Sequence, residues 1–295
     1  MCAVVVIAAL LARPFFAAGH ARQAVEPAAQ CRPAGSIVKI PQLAEASGVA
    51  ISRRVPDRLW ALNDSGEPVL FALDATGTVR TRVQLAGAEV EDWEAVAVGP
   101  CPAGSCIYVA DIGDNNGKRR HITVYRATEP ADATDVVRVT DVFHATYPDE
   151  PQDAETVLIT ADGRIHIVTK GDTGPVALYA FPRELRSGST ARLERVGTPR
   201  GAGTPAKDDK ITDGAVSPDG EWLVLRTNRD LTFHRTAELL GGNWRAAARV
   251  DLASLGEPQG EGVALGADNV VYVMGEGGGK SQPGTFARLT CSPRR

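Results

Sequence analysis

Four carboxylates and a serine recur in this chain at comparable places: Ser47, Glu94, Glu155, Asp213 and Glu261, each opening a short apolar run. Two residues upstream of each lie Glu45, Asp92, Asp153, Ile211 and Gln259. If such positions met around one axis, the carboxylates would crowd. Two of them about 7 Å apart at an effective dielectric near 20 repel by roughly 2 kcal/mol. A ring of them cannot ionise fully without protons, bound cations or basic side chains. Lys170 and Arg226 are the cations of a second positional set that also holds Asn63, Asp64, Asp111, Thr169 and Glu276. Hard oxygen ligands around one point suit Ca²⁺, which takes 6–8 oxygens. With such an ion in place, a phosphoryl or ester oxygen could be polarised while Lys170 and Arg226 stabilise the developing charge. Glu155 is then the candidate general base. The alternative is architectural: an acid ahead of an inner strand can accept hydrogen bonds from backbone N–H groups of the neighbouring unit.

Other chemistries leave little trace. His121, His144, His166 and His234 are scattered at strand positions, so no soft-metal site is expected, and His166 reads as a packed strand residue. No Gly-x-Ser-x-Gly elbow is present, which removes the usual serine-hydrolase signal. The segment Asp111-Ile112-Gly113-Asp114-Asn115-Asn116-Gly117-Lys118-Arg119-Arg120 is rich in oxygen ligands but has Gly113 and Ile122 where an EF-hand needs acids. A looser Ca²⁺ loop, an anion site at its basic end and a plain turn all remain open for it. Net charge is −4, from 32 Lys plus Arg against 36 Asp plus Glu, so nucleic acid is not an expected partner.

Each of the five segments is followed by a turn and a second apolar run, as in Thr160-Ala161-Asp162-Gly163 before Ile165–Val168 and Ser217-Pro218-Asp219-Gly220 before Trp222–Leu225. The segments are 47, 61, 58 and 48 residues apart, a spacing that suits four-stranded units with variable loops. Third strands are expected at Val69–Leu73, His121–Arg126, Ala177–Phe181, Leu231–His234 and Thr285–Leu289. Fourth strands are expected at Val79–Leu85, Val136–His144, Arg192–Val196 and Arg245–Val250. The fifth unit runs out of chain, and Ser36–Ile40 can supply its missing strand. The expected fold is therefore all-β, a single five-bladed β-propeller of four-stranded antiparallel blades closed by an N-terminal strand, with six blades as the alternative. In that fold both positional sets fall on one face, at one mouth of the central channel.

The stretch Asp92–Pro100, continuing through Tyr108–Asn115, resembles secreted bacterial propellers of the phytase-like and SdiA-regulated kind, in which an acidic-x-Glu-Gly/Ala-hydrophobic-Ala element opens blades. Glu261-Gly262-Val263-Ala264 is similar, and Ser217-Pro218-Asp219-Gly220 looks like turns of TolB-like propellers. The resemblance implies a face that binds Ca²⁺ and phosphorylated or ester substrates. It would make Glu94, Asp111, Glu155, Asp213 and Glu261 metal ligands, with Lys170 and Arg226 as anion contacts. The function expected is an exported propeller whose acidic, cation-binding mouth receives a small anionic ligand or a protein partner. A Ca²⁺-dependent hydrolase of phosphoester, ester or lactone substrates is the alternative, and whether the chain is an enzyme is left open.

The run from Cys2 to Ala12 is apolar and too short to span a bilayer, and its length suits a secretory signal. Residues 1–21 are read as that signal, 22–34 as a lead-in and 35–295 as the propeller, acting as a monomer in a secreted or periplasmic setting. Removal of the signal leaves Cys31, Cys101, Cys106 and Cys291, an even count that reads as two disulfides. Spacing favours Cys101 with Cys106 around a tight loop, leaving Cys31 to join Cys291 across the closing blade. Hydrophobic residues at 43% and charged ones at 23% fit a folded globular chain, and 30 Gly with 19 Pro fit one rich in turns.

Overall fold

A computed structural model describes residues 30–199, 201–279 and 281–292. The expected signal, residues 1–21, lies outside the described residues. The chain folds into consecutive four-stranded antiparallel meanders. Blade 1 comprises Ala46–Ile51, Arg58–Asn63, Val69–Asp74 and Val79–Ala86, and blade 2 comprises Trp93–Cys101, Gly104–Asp111, Ile122–Thr128 and Val136–Thr146. Blade 3 is built from Ala154–Ile159, Ile165–Thr169, Leu178–Ala180 and Glu194–Gly197, and blade 4 from Ile211–Val216, Trp222–Thr227, Asp230–Arg235 and Ala248–Asp251. Blade 5 uses Gln259–Leu265, Val270–Glu276 and Gly284–Ser292.

Two observations make these blades a closed ring of five. The first strand of every blade lies against the first strands of both neighbours, with blade 5 returning to blade 1. The buried side chains also gather into five clusters, each straddling one pair of adjacent blades. Tyr108, Phe143, Tyr179 and Phe181 fill the gap between blades 2 and 3, for example, while Phe71, Tyr272, Met274 and Phe286 fill that between blades 5 and 1. Inner strands buried on both faces explain the near-continuous apolar runs of the sequence. Gly163 at φ +78° and Gly220 at φ +77° close the first hairpins of blades 3 and 4, in backbone that other residues adopt only with strain.

Closure differs from expectation in one respect. The fourth strand of blade 5 comes in two pieces, Val38–Ile40 against Gly284–Phe286 and Gln30–Pro33 against Leu289–Ser292. The ordered sheet thus reaches back to Gln30, five residues before the boundary expected at residue 35, because Cys31 sits directly opposite Cys291. Both expected disulfides are present, Cys31–Cys291 and Cys101–Cys106. Outer strands are stitched as well. Val136–Arg138 of blade 2 pairs in parallel with Gln84–Ala86 of blade 1, and Thr190–Arg192 covers His144–Thr146. These pairings protect backbone edges that would otherwise be open to other chains.

The Cys31–Cys291 link spans 260 residues, so on chain-entropy grounds it stabilises by about 5 kcal/mol. Replacing both cysteines by serine is expected to lower the melting temperature far more than the same change at Cys101 and Cys106, whose loop spans 5 residues. Calorimetric unfolding of the two double variants checks this, and equal losses would show that the seam is not held by the bond.

Candidate functional site at the acidic mouth

Each first strand carries a β-bulge at its start. The pairing register skips Ser47 in blade 1, Glu94 in blade 2, Glu155 in blade 3 and Thr212 in blade 4, and it shifts between Gly260 and Val263 in blade 5. A bulge frees one residue from the ladder and re-aims its side chain. The bulged residues are nearly all buried at this mouth: Ser47, Glu94, Glu155, Thr212 and Glu261 are between 2% and 7% exposed. The structure corrects one element of the repeat. Thr212, not Asp213, is the counterpart of the glutamates, because the blade 4 register breaks one residue earlier than the Asp-Gly pattern suggests. Ser47 Oγ and Thr212 Oγ1 then play the same part, donating to the carbonyls of Glu94 (2.8 Å) and Glu261 (3.1 Å) in the following blade.

Asp213 has the architectural role. Its Oδ2 accepts the Val263 N–H of blade 5 at 2.7 Å. Blade 1 has Gly48 at the corresponding ladder position, where an added Cβ would stand 2.8 Å from Val96 N. Arg226 is also structural. Fully buried, it donates from Nη1 to the carbonyls of Gly262 (2.7 Å) and Met274 (2.9 Å) and from Nη2 to Glu257 Oε2 (2.5 Å). Its Nε has no partner among the described residues but is buried with the rest of the side chain, so the expected anion contact is instead a tie between blades 4 and 5. Nothing in the spacing of the sequence marked Glu257, which lies in the connection entering blade 5.

Asp111 accepts the backbone N–H groups of Glu91 (2.9 Å) and Asp92 (3.2 Å) and pairs with Arg119 at 2.6 Å. The loop after it is a turn folded on itself. Asp114 accepts the N–H groups of Lys118 and Arg119, both at 2.9 Å, and its own N–H reaches Asp153 at 2.7 Å. Arg119 also reaches Glu91 at 3.2 Å, which commits that guanidinium, while Lys118 and Arg120 are exposed. Gly113 packs so tightly that a Cβ there would lie 2.4 Å from Asp92 Oδ2 and 2.6 Å from Glu94 Oε1.

Glu94, Glu155, Glu261 and Lys170 do come together. Lys170 is 23% exposed, forms a close ion pair with Glu155 and lies 3.6 Å from Asp153. Ser47 Oγ donates to Glu94 Oε2 at 2.9 Å, and Gln259 Nε2 donates to Glu261 Oε1 at 2.6 Å. Burial pushes Glu155 up to about 7, against the pull of Lys170. Burial and the charges of Glu155 and Asp92 push Glu94 well above the ordinary carboxylate range, which favours its protonated form beside Glu155. Glu261 is raised by burial and by Glu155, and Glu276 at the rim reaches about 7 through burial and the nearby Asp64 and Glu45. Asp213 is likewise raised by burial, with backbone donors and Arg226 opposing.

Among the described residues, no three His, Cys, Asp or Glu side chains are grouped so as to hold a metal ion. The donor chemistry agrees: Asp111 and Asp213 are satisfied by protein N–H groups, and Lys170 already supplies the charge Glu155 needs. The five residues expected as Ca²⁺ ligands therefore do not form a ready cage. His166 is packed inside blade 3, where burial lowers it to about 4.

No protein-family model and no curated protein matches the chain. Among solved structures it is similar to the PQQ-bound aldose sugar dehydrogenase of Streptomyces coelicolor, with 12% identity, 90% of this chain and 99% of that chain covered, and a TM-score of 0.55. A gluconolactonase from Xanthomonas campestris gives 11% identity, coverage of 91% and 99%, and a TM-score of 0.44, too weak to bear on fold or activity. The first likeness shows a shared propeller fold and nothing narrower. It lends no support to a phytase-like or SdiA-regulated affiliation.

The raised carboxylates carry a pH signature. A carboxylate whose folded value exceeds its unfolded one binds protons more tightly when folded, so stability falls as pH rises between the two values. For Glu155 and Glu276 that window runs from the ordinary 4.5 to about 7. His166 and His234, lowered to about 4 by burial, act oppositely but only below their unfolded value of 6.5. From pH 6.5 upward the carboxylates act alone, and urea unfolding should show stability declining there by a few kcal/mol at most. Glu155→Gln should flatten the decline; a stability that instead climbs from pH 6.5 to 8 would contradict the raised values.

Proposed function

We propose that the chain is an exported binding propeller whose acidic mouth captures a small cationic ligand. The observation that carries this reading is the imbalance of charge around Lys170. Glu94, Asp153, Glu155 and Glu261 converge with one half-buried lysine between them, and Asp92 and Glu276 add carboxylates at the rim. A cation entering the mouth would replace the missing positive charge and let Glu276 and Glu94 ionise. Lys170 and Arg226 are each held by carboxylates, which favours a cation over the anionic ligand expected from sequence. Export is supported by two disulfides, which persist in oxidising compartments. Among the described residues no helix is long and apolar enough to cross a membrane.

Ca²⁺ is the smallest candidate of this class, and it would have to displace Lys170 from Glu155 to gain ligands. An alkyl diamine needs no such rearrangement, because its ammonium groups donate hydrogen bonds to carboxylates already in place. Titration calorimetry with 1,4-diaminobutane and with Ca²⁺ tests the reading. Cation binding that releases or retains protons with pH and weakens about tenfold in Glu276→Gln is expected. Preferential binding of inorganic phosphate, with no response to either cation, would overturn it.

A second reading, hydrolysis of an ester, lactone or phosphoester, is favoured by one observation: Glu155 reaches about 7, close to the optimum for a general base. Glu155 would take a proton from water as hydroxide adds to the carbonyl or phosphoryl centre, and the proton would pass to the departing oxygen. Turnover of lactone or phosphoester substrates that disappears in Glu155→Gln would establish this reading, and no turnover across both classes would remove it.

A further inference from the structure

The channel changes character along its axis. Beyond the ring of bulges, the same five strands line a cavity of about 320 Å³ that opens on the opposite face. Its walls come from every blade and are mainly aliphatic, with Val96, Val98, Val157, Ile159, Ala215 and Leu265 among them, while polar groups make up the rest of the lining. Successive side chains of each first strand turn alternately to the two neighbouring blades, Val96 with blade 1 and Ala95 with blade 3 for example, so past the bulges the channel is bounded by strand edges and the flanks of these aliphatic side chains. Ser52 reaches the cavity, but its Oγ accepts the N–H groups of Arg54 (3.2 Å) and Val55 (2.9 Å).

One charged residue lines this cavity. Arg53 is exposed at the rim, with its backbone N–H tied to Glu129 Oε2 at 3.3 Å. Two acids of the turns at this end are engaged locally, Asp162 by Thr160 Oγ1 and Asp219 by Ser217 Oγ, both at 2.5 Å, while Asp57 is exposed and does not line the cavity. An apolar well capped by a lone cation complements a molecule with a hydrocarbon body and an anionic head. A cavity of roughly 150 Å³ lined by aliphatic side chains accommodates benzene, so twice that space suits a chain of about eight to ten carbons. A guanidinium fork fits a carboxylate.

We infer that this apolar well is a second binding site, separate from the acidic mouth, for a medium-chain monocarboxylate whose chain lies along the channel and whose head meets Arg53. Burial of the chain supplies the affinity and Arg53 the preference for an anion. The site is independent of what the acidic mouth binds.

The test uses the full chain and sodium octanoate. Calorimetry is expected to give saturable one-to-one binding of octanoate, no binding of acetate, and several-fold weaker binding of octan-1-ol. Arg53→Gln should erase the preference for octanoate over octan-1-ol, and Val98→Phe should abolish both by filling the well. Glu276→Gln at the acidic mouth should leave octanoate affinity unchanged. Should Val98→Phe fail to fold, methyl resonances of Val96, Val157 and Leu265 in the wild-type protein must shift together as octanoate is added. Absence of saturable binding, or saturable binding without those methyl shifts, would overturn the inference.

Discussion

Everything in this molecule follows from ring closure at a small radius. Five blades around one axis bring their first strands into backbone contact, close enough that Gly48 and Gly262 have room for hydrogen but not for a methyl group without displacement. Strands that close cannot keep regular pairing to their ends, and the bulges at Ser47, Glu94, Glu155 and Thr212 are where pairing gives way. The freed side chains then point at one another. Crowding of carboxylates is a consequence of the same geometry that buries the valines further along.

The crowd is held by three unlike devices. Lys170 pairs with Glu155, burial and neighbouring charge favour the protonated form of Glu94, and Arg226 with Glu257 fastens the wall between blades 4 and 5. None of the three requires an external ion. The apolar half of the channel needs no such compensation. The channel thus passes from crowded carboxylates at one mouth to mainly aliphatic walls towards the other.

Much of this was legible in the sequence. Strand order, blade count, the closing N-terminal strand and both disulfides follow from apolar alternation, Asp-Gly turns and cysteine spacing, all of which are local or terminal signals. What escaped was register. Asp213-Gly214 copies the pattern of Glu261-Gly262, but the bulge in blade 4 falls at Thr212, and only pairing with Arg226 and Thr227 reveals the offset. The fate of each charge escaped for the same reason. Whether Asp111 serves a cation or two backbone N–H groups, and whether Arg226 meets a ligand or Glu257, depends on contacts between residues far apart in the chain.

The seam at Cys31 and Cys291 also orders events in time. The strands that seal blade 5 are Gln30–Pro33 and Val38–Ile40, and their partner Gly284–Ser292 is synthesised after all the blades between them. At ordinary translation rates of about 5–20 residues per second the wait is roughly 10–50 s. Throughout it the early segment has no sheet to join, while blade 5 does not yet exist and the ring stands open. Blade 5 can therefore be sealed only once Gly284–Ser292 has been made, and Cys31 gains its partner no earlier. Sealing thus draws together two cysteines that stand 260 residues apart, with every other blade enclosed between them.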